Sequence, residues 1–149
     1  MEINSKAPDR IYTTKKVRDI IAKIDETHFM GLDTNNITRS ELFLFAMALG
    51  AETIPTKLDS LNSGGLVLEK SIDSRTKALM YALYIEHLND KDNLDSITNK
   101  NDVYNSAQEY ANTGFEILEE YMKNGKVEDL IWELMSELDE QYEKTCSNI

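Results

Sequence analysis

"ITRSELFLFAMALG" (residues 37–50) is the most apolar run in a chain of 149 residues whose formal net charge is -11. It opens on an ordered polar signal. Thr38, followed three residues later by Glu41, forms a capping box: the hydroxyl accepts from the Glu41 N–H and the carboxylate reaches back to the Thr38 N–H. Ile37 and Leu42 are placed to make a hydrophobic staple around that cap. Gly50 stands where a left-handed C-terminal cap belongs. Between the caps, "LFLFAMAL" (residues 42–49) has no polar face, and a helix that is apolar all round must be covered all round. The run is therefore either the central helix of the domain or a helix that meets a second subunit. Phe43 and Phe45, its two largest side chains, are the natural partner-contacting candidates.

Upstream, residues 1–12 read as an irregular arm, with Pro8 and Asp9 favouring a turn. From Thr13 the apolar positions Val17, Ile20, Ile21 and Ile24 make one helical stripe, with Thr13 or Thr14 as its cap. The stripe fades near His28. Downstream of Gly50, a connection rich in turn formers (residues 51–65) leads to a second strong helix at 73–88, started by Asp73. Leu79, Met80, Ala82, Leu83, Tyr84 and Ile85 give it a broad apolar face. A polar loop at 89–102 precedes a helix over 101–123, in which Val103, Ala107, Tyr110, Ala111, Phe115, Leu118 and Met122 keep a three-to-four spacing. Gly114 interrupts it at about 1 kcal/mol relative to Ala, which a closely approaching helix would explain. The last helix, 127–144, places Val127, Leu130, Ile131, Leu134, Met135, Leu138 and Tyr142 inward and most of its acids outward. Only "GGLVLEKSI" (residues 64–72) offers a short strand. The predicted architecture is all-α: one helical domain over residues 13–145, a bundle of about five helices around the fully apolar one.

Composition narrows the function classes. A lone cysteine, Cys146, fits a reducing compartment, and no apolar stretch approaches the roughly 20 residues that span a bilayer, so the chain reads as cytoplasmic. No metal or cofactor motif is present: His28 and His87 are too few and have no spaced partner, and both suit helix C-termini. The Ser63-Gly64-Gly65 turn lacks the Lys-Ser/Thr ending of a phosphate loop. Catalytic residues are not evident, so an enzyme is the weakest class.

Charge is unevenly placed. Residues 1–24 hold six basic residues against three acids, while the remainder is strongly acidic. Lys15, Lys16, Arg18 and Lys23, with Arg39 at the next cap, are the candidates for phosphate contact. Glu116, Glu120, Glu133 and Glu137 form the candidate face for a basic partner.

The order of segments resembles the small DndE protein family of DNA phosphorothioation systems. The likeness rests on "NITRSELFLFAMALG" (residues 36–50), "SRTKALMYALYIEHL" (74–88) and "AQEYANTGFEIL" (107–118), and it covers roughly residues 13–123. It implies a compact, homo-oligomeric helical subunit in a DNA-modification or defence complex, with affinity for nicked duplex DNA. The chain departs from that pattern in its acidic last helix and its negative charge. The leading expectation is a non-enzymatic subunit of a prokaryotic DNA-modification, defence or mobile-element system, assembled as a homo-oligomer and binding DNA weakly. The alternative is an acidic inhibitor or adaptor that engages a basic groove of a nuclease-like partner protein.

Overall fold

The computed structural model describes residues 8–58, 65–88, 98–124 and 127–147. The sequence readings at residues 1–7, at Ser63 and Gly64, and at residues 89–97, 125 and 126 lie outside these. Five helices follow in chain order: α1 (Lys15–Thr27), α2 (Arg39–Gly50), α3 (Ser74–Glu86), α4 (Lys100–Asn124) and α5 (Val127–Ser147). The chain is an all-α bundle, as its apolar spacing predicts. A two-residue strand, β1 (Arg10–Ile11), pairs antiparallel with β2 (Val67–Leu68), so the arm expected to be irregular is pinned to the segment that offered the one short strand.

Three helix starts follow from local hydrogen bonding. Thr14, Thr38 and Asp73 each accept a backbone N–H three residues on, from Val17 at 3.1 Å, Glu41 at 3.1 Å and Thr76 at 2.7 Å. Each bond satisfies a donor that the first helical turn leaves orphaned.

The spine of the fold is α4 rather than α2. Along α4 the residues Val103, Tyr104, Ala107, Ala111, Phe115 and Leu118 are all buried, and α1, α2 and α3 pack around it. On α2, Leu42, Phe43, Ala46, Met47 and Gly50 are buried, whereas Leu44, Phe45 and Leu49 are only partly covered and Ala48 is exposed. One strip of the apolar helix is thus only partly covered by the described residues.

The α2–α4 contact is a backbone-to-backbone crossing. A Cβ built on Gly114 would lie 1.8 Å from the Ala46 carbonyl oxygen, and one on Gly50 would lie 2.1 Å from the Tyr110 carbonyl oxygen. Gly114 therefore has the role its position in a helix interior suggests. Gly50 does not serve as a left-handed cap: it is the last residue of α2, followed by Ala51 in right-handed helical geometry, and glycine is required there by the same crossing.

The helix α5 departs most from expectation. Of the residues placed inward by periodicity, Leu130 is buried and Leu134 partly so, but Ile131, Met135, Leu138 and Tyr142 are exposed. Amphipathic spacing identifies an apolar face, and here little of the chain packs against it.

Candidate functional site: an apolar groove with an acidic rim

The partly covered strip of α2 is the floor of a groove of about 930 Å³ bounded by four helices. Leu44, Phe45 and Leu49 come from α2; Leu79, Ala82 and Leu83 come from α3; Ile117 and Tyr121 come from α4; and Leu130, Leu134 and Leu138 come from α5. Each wall follows from a helix whose apolar arc is wider than the area its neighbours cover. On α3, only Thr76 and Met80 are buried, which leaves Leu79 and Leu83 to the groove.

The polar lining is one-sided. Glu52, Glu86, Glu133 and Glu137 lie at the groove, together with Thr53 and Gln141, and among the described residues no Lys, Arg or His lines it. Two hydrogen bonds tie α5 across the opening. The Tyr121 hydroxyl donates to the Glu133 carboxylate, and Gln141 Nε2 donates to Glu52 Oε1 at 3.3 Å. The Glu133 carboxylate stabilises the protonated phenol by accepting from it, and the Tyr121 pKa is pushed up to about 12.

The acids of the sequence-derived face are divided by the fold. Glu133 and Glu137 turn into the groove edge, while Glu120 is exposed outside it. Glu116 and Glu119 face α1 instead, 3.6 Å and 3.9 Å from Lys16 Nζ, and Lys123 Nζ also reaches Glu119 at 3.3 Å. Of the two phenylalanines, Phe43 is fully buried within its own chain and offers no surface, whereas Phe45 is at the groove.

The candidate phosphate-binding residues are scattered in function. Lys16 is occupied by the two glutamates, and Arg39 makes a two-pronged ion pair with Asp25. Lys15, Arg18 and Lys23 are exposed on α1, but Asp19 lies one turn from both lysines and Glu26 follows on the same helix. This surface is of mixed sign.

Sequence reading missed one polar cluster built on a buried carboxylate. His28 ends α1 in left-handed geometry at φ 54°, and its Nδ1 lies 2.9 Å from Asp33 Oδ2. Asp33 is buried, and its other oxygen accepts from Asn36 Nδ2 at 2.8 Å. The hydrogen bonds from His28 and Asn36 hold the Asp33 carboxyl below its ordinary pKa. The cluster locks the α1–α2 turn. His87, by contrast, is exposed and stacks on Tyr110, with ring centroids 5.0 Å apart.

Among the described residues, no group of three or more His, Cys, Asp or Glu side chains could hold a metal ion, and no helix is long and apolar enough to cross a membrane. No family model, curated protein or solved structure matches the chain.

Proposed function

We propose that this chain is a non-catalytic docking subunit, working in the cytoplasm, whose groove receives an apolar segment of a partner protein. The observation that carries this reading is the incomplete cover of α2. A helix with no polar face has one side closed by α4 and the other left as the floor of an open apolar groove. Exposed apolar surface of this extent, rimmed by polar groups, is what interaction sites present. Among the described residues, the titratable side chains at the groove are glutamates and Tyr121, which supply no convergent acid–base set of the kind an enzyme reading needs.

Titration of the isotope-labelled chain with an uncharged amphipathic peptide tests this. Amide shifts concentrated at Phe45, Leu83 and Leu134, and lost in Phe45→Asp, are expected. Shifts spread over the surface, or none, would overturn the docking reading.

A second reading, self-assembly, is favoured by a specific feature of α5. Ile131, Met135, Leu138 and Tyr142 are exposed at spacings of four, three and four, the seam spacing of paired helices. This keeps the homo-oligomer of the leading sequence expectation in play, with α5 rather than α2 as the interface. Membership of a DNA-modification system gains no comparable support, since the cations it would use are partly engaged by Glu116, Glu119 and Asp25.

A further inference from the structure

We infer that the occupant of the groove is an amphipathic α-helix of about three turns, its apolar face flanked by lysine or arginine; this rests on the docking reading above. Three observations carry it.

The first is the nature of the walls. Among the described residues they are four helices and the short turn after α2, with no sheet edge, so an extended occupant would enter with most of its backbone N–H and C=O groups unpaired. A helix satisfies those groups internally and presents side chains alone. The second is length. The α5 wall runs from Leu130 to Gln141, which at 1.5 Å per residue spans about 16 Å, or three turns. Anchors at i, i+3 or i+4, and i+7 fit that span.

The third is charge. The rim holds Glu52, Glu86, Glu133 and Glu137, and among the described residues no cation lines it. The helix α5 as a whole (Val127–Ser147) carries seven carboxylates and one lysine. An acidic or neutral occupant leaves these carboxylates facing each other across a narrowed, partly dehydrated cleft, whereas flanking cations complement them. A second copy of this chain does not suit the groove. Its helix α1, of mixed sign, has already buried its apolar stripe, Val17, Ile20, Ile21 and Ile24, and its exposed helix α5 is acidic.

Three peptides of one amphipathic sequence, differing only in flanking Lys, Gln or Glu, provide the test by fluorescence anisotropy. The Lys peptide should bind about tenfold tighter than the Gln peptide at low salt, the summed effect of several modest rim pairs, and the Glu peptide more weakly than either. Added salt should narrow the gap as screening shortens the reach of the rim charges. Glu133→Gln with Glu137→Gln should reduce the Lys preference, while Glu120→Gln, outside the groove, should leave it unchanged. A Lys peptide with a central proline should lose binding.

Equal binding of the three peptides, or full binding by the proline peptide, would overturn the inference while leaving the docking reading intact. Failure of the Gln peptide together with the Lys peptide would remove both. Retained secondary structure and melting temperature in the double glutamine variant establish that any loss reflects the rim rather than the fold.

Discussion

Gly114 of α4 lies against Ala46 of α2 so closely that a methyl group on it would sit 1.8 Å from the Ala46 carbonyl oxygen. The reciprocal notch, Gly50 against the Tyr110 carbonyl, lies one turn farther along α2. In an isolated helix, Gly→Ala gains about 1 kcal/mol. Here Gly114→Ala must push the α2 and α4 backbones apart. We expect a net loss of about 1–3 kcal/mol, typical of overpacking, read as a lower urea midpoint at unchanged slope. A stabilised Gly114→Ala variant would contradict the crossing.

Phe43 and Phe45 separate stability from recognition. Phe43 is fully buried, so Phe43→Ala should destabilise by about 3–5 kcal/mol. Phe45 is partly covered and lines the groove, so Phe45→Ala should cost clearly less stability and weaken peptide binding more than any change outside the groove. Chemical unfolding and anisotropy on both variants check the split.

Asp33 makes stability depend on pH. Its folded-state pKa is lowered by His28 and Asn36, so its contribution is present above the unfolded value of about 3.9 and is lost as pH falls through the lowered folded value. Urea midpoints measured below about pH 4 should fall less steeply for Asp33→Asn than for the parent. Glu69, lowered chiefly by its bond to Lys77 and also by Tyr104, adds a slope of the same sign that remains in Asp33→Asn. Parallel curves for parent and variant would remove Asp33 from the acid response.

Much of this architecture is legible in the residues, and what is not has a physical cause. Caps at Thr14, Thr38 and Asp73 are readable because each is a bond between residues three apart. The close approach at Gly114 is readable because a glycine in mid-helix needs a reason. Gly50 is not, since the residue that serves a left-handed cap also serves a tight crossing, and the deciding carbonyl belongs to Tyr110, far away in sequence. Periodicity on α5 shows that Ile131, Met135 and Leu138 share a side but not whether anything covers it. The groove was foreshadowed only in part, by the lack of a polar face on α2 and the broad apolar face of α3.

Self-association and partner binding should respond to salt with opposite sign. Pairing two acidic α5 helices along Ile131, Met135, Leu138 and Tyr142 brings like charges together, so light scattering should show larger species as salt rises. Trp132, 66% exposed, should shift its emission to the blue in step. A mass independent of salt and concentration would exclude the α5 seam.

Hydrogen exchange should grade the helices by burial. Amides of α4 from Val103 to Leu118 should exchange only with global unfolding, whereas those of the last two turns of α5, exposed throughout, should exchange through local opening.

The attachment of α5 has a consequence for how such a protein can diversify. Among the described residues its grip on the bundle includes one buried leucine, Leu130, a half-buried one, Leu134, and polar clips at Tyr121 and Gln141. Substitutions along its remaining surface leave the α2–α4 crossing untouched, so under the docking proposal the groove's wall can be altered at little risk to the fold.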